Sequence, residues 1–169
     1  MLLLLVSGQA LSESDVYEVS RADEIKAAFI YNFAKFVEWP ADAFNAEDEP
    51  LTLCALGGSV EQRQLALIDG RAAQGRVIAQ RVVDTPEQAS RCHILYLPSD
   101  TTSYASALSS FVAHSVLTIS ENTQFVDQGG IVSLFIDGDH VRFRINLKVA
   151  HESRLKVSAR MLQLAQEVR

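Results

Sequence analysis

The sequence predicts a layered α/β domain: a largely parallel sheet flanked by helices, with a C-terminal β-hairpin and a closing helix. Three observations predict it. A strongly apolar helical pattern comes first, four short apolar runs then alternate with helical stretches, and an Asp-Gly dipeptide separates two strand-patterned runs near the C-terminus.

Over 23–39, Ile25, Ala28, Phe29, Phe33, Phe36 and Val37 recur at spacings of three and four. A second stripe, Ala27, Ile30, Tyr31 and Ala34, leaves little polar surface, so this helix is expected to be covered on more than one side, in the core or at a dimer interface. Pro40 stops it and an acidic connection fills 41–50. Apolar runs bounded by Gly, Pro, Ser or Asp follow at 51–57, 77–83, 92–97 and 116–120 and read as strands, with helices between them at 60–68, 86–91 and 104–113. Such alternation is the sequence form of a parallel sheet with crossover helices.

The last third reads differently. Strands at 131–136 and 141–147 flank Asp137-Gly138, the dipeptide favoured in a two-residue type I′ turn. Counting outward pairs Leu134 with Val141, Val132 with Phe143, Ser133 with Arg142 and Ile131 with Arg144, giving one apolar and one mixed face. A helix over 150–168 is expected to close the chain, with Leu155, Ser158, Leu162 and Ala165 inward and Arg154, Lys156 and Arg160 toward solvent.

With 169 residues and 48% apolar content, the chain predicts one core, and we expect a single domain over 23–169. A net charge of -6 without a basic block excludes nucleic acid as a partner. The apolar run 2–6 followed by Ser7, Gly8, Gln9 and Ala10 reads as the end of a signal peptide over 1–10, cleaved after Ala10, which places the mature protein in the periplasm. No later stretch approaches the roughly 20 apolar residues of a bilayer span, so the mature chain is expected to be soluble and not membrane-embedded. An even cysteine count in an exported chain permits one disulfide between Cys54 and Cys92, which would meet if the first and third strands are neighbours; buried free thiols are the alternative.

Little in the sequence asks for catalysis. There is no G-x-S-x-G elbow, and His93, His114, His140 and His151 are scattered one per element, as surface or satisfied interior groups are. Neither a CxxC pair nor His at ligand spacing supports a metal, and no cofactor is expected. Gly57-Gly58-Ser59 reads as a tight strand-to-helix turn with Ser59 as N-cap, and Asp137-Gly138-Asp139 as hairpin chemistry rather than a calcium loop.

Arg142, Arg144, Asn146 and Lys148 alternate with apolar residues and so project from one face of one strand. Their counterpart is an anionic ligand, an acidic patch on a partner, or Glu and Asp of a neighbouring helix. Asn32 falls on the apolar side of the first helix, where a buried amide needs a partner: it ties down a loop or lines a pocket. Trp39 reads as an interface anchor or a core residue.

The stretch 26–40, running through Tyr31-Asn32-Phe33 to Trp39-Pro40, resembles the opening signature of the YfiR-like family. The similarity continues through the Cys54 strand, Cys92-His93-Ile94-Leu95-Tyr96-Leu97, Gly129-Gly130-Ile131 and Arg144-Ile145-Asn146-Leu147 to about Ala165. The resemblance implies a non-enzymatic periplasmic regulator, able to homodimerise, that inhibits an inner-membrane diguanylate cyclase of the YfiN type by binding its periplasmic domain. It also implies relief of that inhibition by a YfiB-like outer-membrane lipoprotein, and a Cys54–Cys92 disulfide. Other relatives serve histidine kinases or outer-membrane receptors, which leaves a small-ligand sensing module as the alternative. The residues expected to face a partner or ligand are Asn32, Lys35, Trp39, Arg142, Arg144, Asn146, Lys148 and Arg154.

Overall fold

The computed structural model describes residues 20–97, 99 and 105–169; the expected signal peptide over 1–10 lies outside the described residues. The fold is organised by one strand, β2 (Leu51–Leu56), all six residues of which are buried. Leu51, Leu53 and Ala55 point to one core, Cys54 and Leu56 to another. A strand apolar on both faces has to lie inside a sheet covered on both sides, which is the setting of parallel sheets.

Around β2 the chain lays β4 (Arg76–Val83), β5 (Ile94–Leu97), β6 (Leu117–Ser120) and β7 (Val132–Asp137) in the spatial order β4-β2-β5-β6-β7, every neighbouring pair parallel. This is a doubly wound arrangement in which the strand order reverses between β2 and β5. The expected adjacency of the first and third strands is therefore present. β3 (Ala72–Ala73) extends one edge antiparallel to β4, while β8 (His140–Ile145) and β10 (Glu167–Val168) extend the other, completing eight strands.

Helices cover both faces. On the Leu53 side lie α1 (Arg21–Phe36), α2 (Ser59–Ala66) and α5 (Ala159–Leu164), which contribute Ile30, Phe33, Leu65 and Met161 to the core. On the Cys54 side, α3 (Ala105–Ala113) brings Leu108 and Phe111 against Leu56, Leu95 and Leu97. Ser20 caps α1 by accepting from the Asp23 N–H at 3.2 Å. Gly130 approaches Phe125 so closely that an added Cβ would lie 2.2 Å from the ring, which accounts for a glycine there without any turn requirement.

Several expectations need correction. α1 ends at Phe36 rather than reaching Trp39, because β1 (Val37–Glu38) turns extended and pairs with β9 (Lys156–Val157). The segment Pro86–Arg91 is a 3-10 helix, and the residue capping α2 is Gly58 rather than Ser59. The hairpin is shifted by two residues: Leu134 faces Phe143, Val132 faces Ile145 and Ser133 faces Arg144. The expected turn needs positive φ at Asp137 as well as Gly138; the observed one centres on Gly138-Asp139 and asks it of Gly138 alone, at +59°. A slip of two leaves every side chain on its predicted face, so the pattern could not detect it.

The closing helix over 150–168 does not form. Instead α4 (Leu147–Glu152) ends at Ser153, Arg154 adopts a left-handed φ of +61°, β9 follows, and α5 starts afresh with the Ser158 hydroxyl accepting from the Met161 N–H at 3.3 Å. Asn146, Ser153 and Ser158 are residues that compete with or cap helices, and together they cut the helical pattern into single turns. Leu155 is buried as predicted, but from a turn rather than a helix.

Cys54 and Cys92 form a disulfide with Cα atoms 5.9 Å apart, joining β2 to the residues that lead into β5 across 38 positions of sequence. A loop of that size corresponds to about 4 kcal/mol of denatured-state entropy. Urea unfolding of reduced and oxidised protein is expected to differ by about 2–4 kcal/mol, with reduction destabilising; coincident curves would show that the bridge carries no stability.

A candidate ligand groove at the amino-terminal edge of the sheet

The sequence-predicted basic face is not a free surface. Arg142 and Arg144 lie on β8, but β8 ends at Ile145: Asn146 is the N-cap of α4 and Lys148 belongs to that helix, so the four do not share one strand face. Arg144 is enclosed by the C-terminal tail and a loop, with Nε 2.7 Å from Glu167, Nη1 3.3 Å from Asp127 and 2.8 Å from the Thr123 carbonyl. The Arg144 Nε bond, with a further one from Arg169, holds the Glu167 carboxyl down to about 2. Asn146 accepts from the Val149 N–H and donates to the Val126 carbonyl at 3.1 Å. Arg142 pairs at 3.3 Å with Asp137 on its own hairpin, and Lys148 stands 82% exposed. The counterparts of this basic group are acidic and carbonyl groups of the same chain.

Asn32 and Lys35 face solvent on α1, so the expectation of a buried Asn32 amide is corrected. The turn through Ala28 and Asn32 is exposed, while the core-facing side runs through Ala27, Ile30, Phe33 and Ala34. Arg154 lines a groove of about 680 Å³ elsewhere on the molecule, and Trp39 touches that groove's floor only through its hydrogen bond to the His93 carbonyl.

The groove opens at the amino-terminal edge of β2 and β5. Thr52, Cys92 and His93 form its floor. One wall is the 41–50 connection with Asp42 and Glu49; the others bring Arg81 from β4, Ser90 and Arg91 from the 3-10 helix, His114 and Ser115 from beyond α3, and Arg154 from beyond α4. Its place is the opposite end of β2 from the Gly57-Gly58 turn. Arg154 pairs with Asp42. The Glu49 carboxyl is held below its usual range, first by the Asn45 backbone N–H donated to it. Sequence reasoning missed Arg81, Arg91, Asp42 and Glu49, which come from three segments that only the folded sheet brings together; the one local signal was Arg91 beside Cys92 and His93.

His93 is the best-held side chain here. Its Nδ1 accepts the Thr52 N–H at 3.0 Å, and its Nε2 lies 3.0 Å from the Ala43 carbonyl. A backbone amide can only donate and a carbonyl only accept, so the ring is the neutral tautomer with its proton on Nε2. Phe44 stacks on it at 4.3 Å between centroids, and the Trp39 indole N–H donates to the His93 carbonyl at 3.1 Å. Burial, the largest influence, lowers its pKa from the ordinary 6.5. The unfolded chain therefore takes up this proton first as pH falls: the contribution of His93 to stability is complete above about 6.5 and is lost toward the lower folded value. Protonation of Nδ1 would also expel the Thr52 N–H. Unfolding free energy is expected to drop between pH 7.5 and pH 5, and His93→Phe should be less stable by about 2–4 kcal/mol at pH 7.5 with a flatter pH profile. An equally steep profile in the variant would assign the dependence to other groups.

Comparison with known proteins adds to this geometry. The family model described as YfiR/HmsC-like matches residues 23–166. No curated protein matches the chain. Among solved structures, a conserved domain protein from Vibrio cholerae O1 biovar El Tor superposes with a TM-score of 0.54 at 13% identity, over 87% of this chain and 60% of that one. A Streptococcus pneumoniae ABC domain in complex with L-Trp superposes with a TM-score of 0.51 at 18% identity, over 70% of this chain and 55% of that one. This chain thus spans little more than half of either structure, and at such identities the likeness is one of fold. The match over residues 23–166 settles the family: the chain belongs to the YfiR/HmsC-like family.

Proposed function

We propose that this chain is a periplasmic, non-enzymatic regulator that binds the periplasmic part of an inner-membrane diguanylate cyclase of the YfiN type and holds it inactive. The observation that carries this reading is the family match over residues 23–166. Among the described residues no helix is long and apolar enough to cross a membrane, which is compatible with a partner that reaches this chain from the membrane.

The docking surface we assign is the outer side of α1 with the neighbouring hairpin tip. Ile25 is 38% and Ile136 51% exposed, and the two line one cavity of about 530 Å³ with Ala22 and Val141. Asn32 and Lys35 continue the exposed side of α1, and Arg142 and Lys148 are the exposed members of the basic group. Apolar side chains with a polar rim are what a partner surface needs. Inhibition then follows from tighter binding to the inactive than to the active cyclase, since a regulator shifts its target only by that difference. A YfiB-like lipoprotein would relieve the inhibition by competing for this chain, and a homodimer would present the surface twice. The groove described above supports a second reading, a ligand-sensing module serving a histidine kinase or an outer-membrane receptor.

Deleting the gene should raise cellular cyclic di-GMP severalfold, and a wild-type copy should restore it. A copy carrying Ile25→Glu and Ile136→Glu should fail to restore it while remaining within about 0.5–1 kcal/mol of wild-type stability, because both positions are exposed. An unchanged cyclic di-GMP level on deletion would transfer the assignment to another sensor.

A further inference from the structure

We propose that the groove at the amino-terminal edge of the sheet binds a small organic oxyanion, a carboxylate or a phosphate, between Arg81 and Arg91. The inference goes beyond the partner reading and does not depend on it.

Charge is the first support. Three guanidinium groups and two carboxylates line the groove, but the carboxylates are engaged: Asp42 with Arg154, and Glu49 with the Asn45 backbone and side-chain amides. Among the described residues, no ion pair engages Arg81 or Arg91. An acidic chain of net charge -6 thus places two guanidinium groups that no ion pair engages in one concavity. Guanidinium forks match carboxylate and phosphate oxygens two at a time.

Backbone strain is the second support. Among the described residues three non-glycine positions have positive φ, and two of them, Ser115 at +54° and Arg154 at +61°, line this groove. Both stand just beyond a helix, the position glycine occupies without penalty. A side chain kept at such a position is held by its surroundings against strain, as at ligand sites. The floor is also rigid: Cys92 is tied by its disulfide, and both ring nitrogens of His93 are engaged. A volume of about 680 Å³ suits a metabolite-sized ligand.

The test is the melting temperature of the purified oxidised protein in 10 mM inorganic phosphate or 10 mM acetate, each against sodium chloride of equal ionic strength. With millimolar affinity, one of the two should shift the folding equilibrium about tenfold, a rise of about 3–5 °C. Phosphate acting alone would assign a phosphomonoester-bearing ligand, and acetate acting alone a carboxylate. The rise should vanish in Arg81→Gln/Arg91→Gln, whose melting temperature in chloride should match the wild type. If that variant folds poorly, chemical shifts of the Ser90–His93 and His114–Ser115 amides of the wild type should move on titration while those of the hairpin tip stay fixed. No rise with either anion, a rise that the double variant keeps, or shifts spread over the whole surface would overturn the proposal. Because the assay needs no partner, its failure would leave the cyclase reading intact, and a failed cyclic di-GMP experiment would leave this site intact.

Discussion

The rest of the structure depends on the seam between β2 and β5, and the seam depends on His93. This one residue donates its N–H to the Thr52 carbonyl at 2.9 Å, accepts from the Leu117 N–H at 2.8 Å and the Trp39 indole, and uses both ring nitrogens on Thr52 and Ala43. It thereby ties β2, β5, β6 and the connection that follows α1 to one point. A buried imidazole is tolerated because each polar atom has a partner; removing any one would leave an amide or carbonyl buried without compensation. The Cys54–Cys92 bridge reinforces the seam covalently one position away, at the place where the strand order reverses.

The parallel core was legible because it is apolar on both faces. Leu51 through Leu56 and Ile94 through Leu97 can only be interior strands, and the helical spacing in α1 has one reading over most of its length. The C-terminal third was less legible, since hydrophobic spacing there fits a helix and a series of single turns equally well. Leu155 and Met161 are both buried, yet Arg154 turns left-handed between them and its charge gives no sign of that. The capping residues Ser153 and Ser158 carried the contrary signal. In the hairpin, parity placed each residue on the right face but could not choose between registers two residues apart.

The candidate site was legible only in part, for a physical reason. Alternation along one strand tells where Arg142 and Arg144 point, but not what faces them; Asp127 and Glu167 come from a loop and from the final strand. Like charges side by side on one strand face repel unless neutralised, and here Asp137, Asp127 and Glu167 of the same chain neutralise them. The groove has the opposite character: its arginines come from three separate segments and converge only because parallel pairing sets β4 and the segment before β5 on the two edges of β2. Of the residues singled out in the sequence, Arg154 lines it and Trp39 supports its floor through the His93 carbonyl.

The two surfaces assigned here are joined by a short piece of chain. α1 carries the proposed docking side, and its last residue runs directly into β1, Trp39 and the 41–50 connection that walls the groove. Ser158 clamps that junction by donating to the Phe36 carbonyl at 3.0 Å, and Gln74 donates to the Ala34 carbonyl at 2.7 Å within the last turn. An anion drawn between Arg81 and Arg91 would compete electrostatically with Asp42 and Glu49, the carboxylates carried by that connection. Any resulting shift of the 41–50 connection would reach the end of α1 through β1, which β9 holds in place. Coupling of this kind is reciprocal: a partner that fixes α1 must change the affinity of the groove by the same factor as the ligand changes affinity for the partner. If both proposed surfaces are used, this clamped segment is the shortest covalent path between them, and a link through it needs no domain motion.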